Sequence, residues 1–325
     1  VNSAIFRDFS ELEELYADKR SGLAWPQVFC LPGWMKSWWK IFGSGYELSI
    51  LVARHDDRVI GVAPFKRQGC AAAFIGDAEI CDYLDFVVVP GLETIFCETM
   101  IEECAACGIS RIQLGTLRPD SIARRFFLPF AQSQGLVVEC HESDVSYEMT
   151  LPASYEIYLD SLSAKQRREA LRKQRNLDTL GGMQFKVLRG NEIKADDMEV
   201  FLNLMAGSRK DKAGFLTETM RDFFREIVQS LFAYGVLRLA CLELGEKRVA
   251  AVLGFEYNNI VFLYNSGYDT GFAGLSVGLI SKMEFIRWSI EQRALTFDFL
   301  KGPEVYKERL GGRKLSLSSC TLAVS

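Results

Sequence analysis

Apolar positions along this chain come in blocks whose spacing alternates between the period of a helix and that of a strand. From Leu31 to Phe42, Trp34, Trp38 and Phe42 recur every fourth residue behind Pro32, which suits a first helical turn, so a packed helix is predicted. ELSILVAR and VIGVAPF, separated by His55-Asp56-Asp57-Arg58, predict an antiparallel hairpin, and further strands are predicted at Ala71–Ile75 and Tyr83–Val88. Leu92 to Cys107 sets Leu92, Ile95, Phe96 and Met100 on one helical face with Glu93, Glu98, Glu102 and Glu103 largely elsewhere. Gly108 ends that helix before the alternating strand Ile109–Leu114.

The second half repeats this grammar. VLRLACLEL, the turn Gly245-Glu246-Lys247 and VAAVLGF form another hairpin, followed by NNIVFLYNSGYD, a helix from about Ser276 to Arg293 and a strand at Leu295–Phe299. LSILVARHDDRVIGVAPF and LRLACLELGEKRVAAVLGF align by eye, so an internal duplication of an α/β unit with a mixed sheet is expected, residues 1–145 and 146–325 forming its copies. The second copy carries an insertion, a helix near residues 162–176 on which Lys165, Arg168, Arg172 and Arg175 fall close to one face. That face is either solvated or a positive wall for phosphate, pyrophosphate or an anionic lipid head. Helices at Met198–Ser208 and Thr217–Phe232 are expected to cover the second sheet.

The 325 residues leave room for about two domains of roughly 150 residues, and 49% hydrophobic with 25% charged residues is the composition of an ordered globular protein. Lys and Arg number 38 against 42 Asp and Glu, a formal charge of −4 with a pI near 5.5, so no global attraction draws the chain to nucleic acid or an anionic bilayer. The nine cysteines lack paired metal-site spacing; Cys104 and Cys107 form a CxxC, but on an apolar helical stretch with no second pair, so buried structural thiols are expected. With no basic-then-apolar leader and no run of 18 apolar residues, a reducing, cytoplasmic location is expected, with contact at the inner face of a membrane left open. His55 in a hairpin turn and His141 beside Cys140 support no triad, and HExxH and Walker motifs are absent.

The closing segment adds chemistry: Ser276-Val277-Gly278 opens a helix, and Phe297-Asp298-Phe299-Leu300-Lys301-Gly302-Pro303-Glu304-Val305-Tyr306-Lys307 follows it. With Trp34, the Trp38-Trp39 pair, the VAPF strand and Asp82-Tyr83-Leu84-Asp85-Phe86, this segment resembles the GNAT-like acetyltransferase family associated with bacterial cellulose and exopolysaccharide loci. It is similar, more distantly, to the peptidoglycan-bridge aminoacyltransferases. The resemblance implies tandem duplicated GNAT-like acyltransferase folds, the acyl donor at the second copy and the acceptor in a groove between copies. No tightly bound cofactor is implied; acyl-CoA or acetyl-CoA would be a co-substrate. The R/Q-x-x-G-x-G/A loop of similar proteins has no close match in Gly271-Phe272-Ala273-Gly274-Leu275-Ser276-Val277-Gly278.

Small residues and free amides at a helix start suit a pyrophosphate, which makes Gly271, Phe272, Gly274, Ser276 and Gly278, with Arg168 and Arg172, candidate donor contacts. Asp298 is a candidate base or a carboxylate that fixes the following loop, and Glu304 is the rival base. Tyr306 can donate to a leaving sulfur and Lys307 can hold an anion, or each can anchor the terminal loop. Tyr83 and Asp85, on one side of a strand, Arg209 after an apolar helix, and Trp38 in an aromatic cluster able to take a lipid-like chain are candidate acceptor contacts. The expected activity is N-acyl transfer from acyl-CoA to an amine acceptor, a small molecule such as an amino sugar or amino acid, or a lipid amine, by direct attack; nucleic acid is not expected as a partner. The alternatives are a tRNA-dependent aminoacyltransferase, marked by a basic path from the Lys165–Arg175 helix and a strong salt dependence of RNA binding, and a non-catalytic exopolysaccharide or envelope assembly factor.

Overall fold

The computed structural model describes residues 2–178 and 181–324. The chain divides into two compact units, unit 1 comprising Val1–Val145 and Leu315–Ser325 and unit 2 comprising Ser146–Lys314. Along the first stretch run β1 (Asn2–Phe6), α1 (Ser10–Ala17), α2 (Pro32–Phe42), β2 (Glu47–His55), β3 (Arg58–Gln68), β4 (Ala71–Phe74), β5 (Val87–Val88), α3 (Glu93–Ala106), β6 (Arg111–Leu117), α4 (Leu128–Ser133) and β7 (Val138–Thr150). There follow α5 (Tyr155–Ser161), α6 (Ala164–Asp178), β8 (Met183–Arg189), α7 (Ala195–Ser208), α8 (Lys210–Phe215), α9 (Glu218–Leu231), β9 (Leu237–Leu244), β10 (Lys247–Tyr257), β11 (Ile260–Tyr268), α10 (Val277–Glu291), β12 (Thr296–Lys301), α11 (Val305–Arg309) and β13 (Arg313–Ala323). Among the described residues no helix is long and apolar enough to cross a membrane.

In unit 1 the strand order is β1-β2-β3-β4-β6-β13-β7. Asp56 and Asp57 join β2 to β3 with φ of 49° and 61°, a two-residue turn whose left-handed backbone matches the twist of the strands it joins. β4 runs parallel to β6 only over Ala71–Ala73 against Arg111–Gln113, after which β4 ends and β6 continues. Phe86 lies at the centre of the core, its ring 5.0 Å from Phe74, 5.2 Å from Phe96 and 4.8 Å from Phe127.

Three sequence expectations change here. Of the strand expected over Tyr83–Val88 only Val87–Val88 forms, pairing with Val62 and Gly61 of β3, while the Asp85 carboxylate ahead of it accepts the Ile122 and Ala123 amides. Residues 315–325, expected with the second domain, join unit 1, where β13 pairs with β6. Cys140 and Cys320, 180 residues apart, are joined in a disulfide, since β7 and β13 are neighbouring strands.

In unit 2 the order is β7-β12-β11-β10-β9-β8. β9 and β10 form the second hairpin, and Asn258 and Asn259, with φ of 50° and 60°, turn β10 into β11. β11 is parallel to β12 only over Ile260–Phe262 against Thr296–Asp298. Beyond these residues the two strands no longer pair with each other, β11 continuing along β10 and β12 along β7. A packing device recurs in the two units. Gly61 of β3 and Gly254 of β10 lie directly under rings of the covering helices, and a Cβ there would fall 2.3 Å from Phe96 and 2.9 Å from Phe285 respectively, so only glycine lets α3 and α10 approach.

Candidate functional site

The site of unit 2 grows out of a distortion in β12. Its pairing with β7 slips between Asp298 and Leu300, and Leu300 takes φ 61°, a left-handed conformation costly for a leucine. The buried Asp298 carboxylate accepts the Leu300 amide at 2.7 Å and holds this bend. The carbonyls of Leu300, Lys301 and Gly302 consequently converge on the buried Lys307 ammonium, with Leu300 O at 3.0 Å and Gly302 O at 3.2 Å. Glu304 Oε2 stands 2.9 Å from the same nitrogen. An ammonium has three protons, so Lys307 is committed to fixing this loop.

Two further lysines join the cluster. Lys212 of α8 donates to Asn265 Oδ1 at 3.3 Å and to the Ser266 carbonyl, both on the part of β11 that no longer pairs with β12. Lys282, buried on α10, donates to the Gly278 carbonyl at 2.8 Å and lies 5.1 Å from the centre of the Tyr306 ring. Burial, aided by Arg209, pushes the Lys212 ammonium down to about 8. Burial and the charge of Lys212 push Lys282 down to about 7, with Glu304 opposing. Burial also raises the Glu304 carboxyl, but the Lys307 charge and hydrogen bond outweigh it and leave Glu304 below the usual carboxylate range. Burial and the Glu304 charge raise the Tyr306 phenol.

This cluster adjoins a cavity of about 250 Å³ lined by Lys173, Tyr268, Ser276, Gly278, Lys282 and Tyr306. It lies at the start of α10, where Ser276 has φ 57° and no side chain caps the helix, so the first amides of α10 are available to an anion. A second cavity of about 250 Å³ lies between α6, α10 and α11 and shares Lys173, Leu279 and Tyr306 with the first.

The structure thus brings Glu304, Tyr306, Lys307, Ser276 and Gly278 into one neighbourhood, and Arg209 acts on it through its charge while paired with Asp211 at 2.8 Å. Gly271 and Gly274 stand outside the cavity on a 3-10 turn over Thr270–Leu275, and Phe272 packs on the core around Val277 and Ile280. Arg168 and Arg172 are exposed; the residues of α6 that line the cavities are Gln166, Glu169, Ala170 and Lys173. Trp38, Tyr83 and Asp85 belong to unit 1. Asp85 accepts the Ile122 and Ala123 amides at 2.8 and 2.9 Å, and burial pushes its carboxyl up to about 7 against those bonds. Sequence reading missed Lys173, Lys212 and Lys282. Lys282 had a signal, a lone lysine among Ile280, Met283, Phe285 and Ile286 on a helix.

Residues 164–308 match the model of the acetyltransferase (GNAT) domain. The fold is a GNAT acetyltransferase fold. Solved structures resemble the chain over most of its length: FemX, at a TM-score of 0.69 and 11% identity, covers 98% of this chain with 97% of its own. The C-terminal domain of a protein described as a lysylphosphatidylglycerol synthetase from Agrobacterium fabrum gives 0.53 at 11% identity over 81% and 80%. A tandem GNAT protein from the clavulanic acid biosynthesis pathway gives 0.53 at 11% identity over 100% and 98%. No curated protein matches the chain by sequence.

Proposed function

We propose that unit 2 transfers an acyl group to an amine and that its donor is an aminoacyl ester carried on tRNA rather than an acyl-CoA thioester. The observation that carries this reading is the positive tract of unit 2. Lys212 sits against β11, Lys282 and the uncapped start of α10 line the cavity with Lys173, which is paired with Glu169 at 2.8 Å, and Arg168 and Arg172 extend the charge onto the exposed side of α6. No salt bridge ties down either arginine among the described residues. That length of positive surface suits several phosphates in sequence, whereas Gly271 and Gly274 on their 3-10 turn provide no glycine cradle for a single pyrophosphate. The name of the Agrobacterium fabrum protein denotes a lysyl group joined to phosphatidylglycerol, but at 11% identity that likeness speaks for the fold, and the donor is argued from charge.

The chemistry follows from the proton inventory. The acceptor nitrogen attacks the ester carbonyl, the new C–N bond forms, and the C–O bond to the ribose breaks. Lys282, with its ammonium near 7, takes the proton the attacking nitrogen loses, and Lys212 stabilises the oxyanion. Tyr306 returns a proton to the leaving oxygen. The two units, we further propose, are copies of one fold: each has a hairpin, a third strand, a glycine-seated helix and a parallel strand with a left-handed residue one position before its end, Thr116 in one and Leu300 in the other.

Binding of charged tRNA and of acetyl-CoA, measured from about 50 to 200 mM salt, tests the donor. tRNA is expected to bind with a steep salt slope that falls by about two when Arg168 and Arg172 become Gln. Saturable acetyl-CoA binding that needs the nucleotide phosphates, with no tRNA binding, returns the donor to acyl-CoA.

A further inference from the structure

Unit 1 holds a cavity of its own, about 310 Å³, where β4 ends and β6 continues. At about 30 Å³ per water it has room for roughly ten waters or one small organic molecule. Phe74, Leu84 and the run Ala71–Ala73 give it an apolar side, and polar groups make up about half of its lining. Two polar residues that line it are not fully satisfied within the described residues. Thr116 is only 2% exposed and its hydroxyl has no hydrogen-bond partner among the described residues. Its backbone is held at φ 53°, an uncommon conformation for a β-branched residue. Native proteins rarely leave a buried hydroxyl unpaired, and Thr116 is one of the residues that line this cavity.

Lys66 is the second group. Its ammonium is buried, 4.1 Å from the centre of the Trp38 ring and 5.0 Å from that of Tyr46, and it donates to the Gly76 carbonyl. One carbonyl uses one of three protons. The nearby Asp77 is already occupied: one oxygen accepts the Trp38 indole N–H at 2.8 Å, the other the Glu79 and Ile80 amides at 2.9 and 3.1 Å. Lys66 forms no ion pair among the described residues. The aromatic rings therefore hold a desolvated cation with donors to spare on a cavity that Thr116, with its unpartnered hydroxyl, also lines.

We infer that this cavity binds a small organic carboxylate, the anion taken by Lys66 and Thr116 and the apolar body by Phe74 and Leu84. A single ammonium, with the Asp77 carboxylate close by, matches one negative charge; a phosphate dianion would meet more repulsion than attraction. The inference is independent of the transfer proposed for unit 2.

The test is calorimetric titration of the full chain with benzoate and with N-acetylalanine, using benzamide as the uncharged control and inorganic phosphate as competitor. Saturable binding of a carboxylate and none of benzamide is expected, at least about tenfold weaker in Lys66→Met and about fivefold weaker in Thr116→Val. Equal binding of benzoate and benzamide, displacement by phosphate, or no saturation by either carboxylate would overturn the inference. Should Lys66→Met fail to fold, Thr116→Val decides, because wild-type affinity in that isosteric variant also overturns it.

Discussion

Replacing Lys282 by methionine should make the protein more stable while abolishing acyl transfer. The ammonium stands at about 7 in the fold against 10.5 for an ordinary lysine, chiefly through burial and then through Lys212. At 1.36 kcal/mol per unit this gap corresponds to a penalty on the order of 3–5 kcal/mol on the folded state wherever both states carry the proton. Methionine fills a similar volume without charge, and loses the bond to the Gly278 carbonyl, worth about 1 kcal/mol, so the net gain is about 2–4 kcal/mol. The sign has a pH signature. Below pH 7 folded and unfolded Lys282 are both protonated and the variant's advantage is greatest. Between about 7 and 10.5 the unfolded chain holds the extra proton, wild-type stability rises with pH, and the advantage shrinks by about 1.4 kcal/mol per unit until it is gone. Urea unfolding of both proteins from pH 6 to 10, compared as differences so that other titrating groups cancel, reads this directly. A variant that is less stable at pH 7, by an amount that does not change with pH, would refute the account of Lys282 as a strained cation.

Other expectations concern the loop, the disulfide and the rate. Asp298→Ala should cost about 1–3 kcal/mol in thermal or urea unfolding through the orphaned Leu300 amide, whereas Asp298→Asn, which keeps an acceptor, should cost clearly less; comparable transfer by Asn and wild type would remove Asp298 as a base. Glu304→Gln leaves Lys307 on three carbonyls, and because Glu304 is 39% exposed its loss should cost only about 1–2 kcal/mol, with the Lys282 titration moving lower as its attracting charge is removed. Cys140→Ser should lower stability by about 2–4 kcal/mol, under the roughly 5 kcal/mol that chain entropy alone assigns to a closed loop of 180 residues. The transfer rate should rise as pH passes through about 7, as Lys282 releases its proton, and that step should vanish in Lys282→Met.

What could be read in the sequence was what local spacing decides. Both hairpins, the helix behind Pro32 and the helix after Ser276 follow from periodicity and turn chemistry acting over a few residues. Glu304, Tyr306 and Lys307 were legible as one group because a single bend of β12 gathers them. Lys173, Lys212 and Lys282 come from three helices, and only the packing of α6, α8 and α10 makes neighbours of them. Which residues of α6 reach the cavities shows only in the packing: buried Ala170 sets the inward direction and carries Lys173 with it, while Arg168 and Arg172, read from the sequence as either solvated or a positive wall, are exposed. The pairing of Cys140 with Cys320 depends on strand order and had no local sign.

That disulfide also determines how the chain would carry load. Both cysteines belong to unit 1, and all of Ser146–Lys314 lies between them, so tension applied to the two ends crosses directly from Cys140 to Cys320. Only roughly 150 residues, a contour on the order of 500 Å, can be drawn out while the bond is intact. Cutting it releases about 180 more, on the order of 600 Å. Unit 2, with its lysine cluster, is thus shielded from any unfolding motor or optical trap that grips the termini, and its first extension waits on a reductant rather than on force.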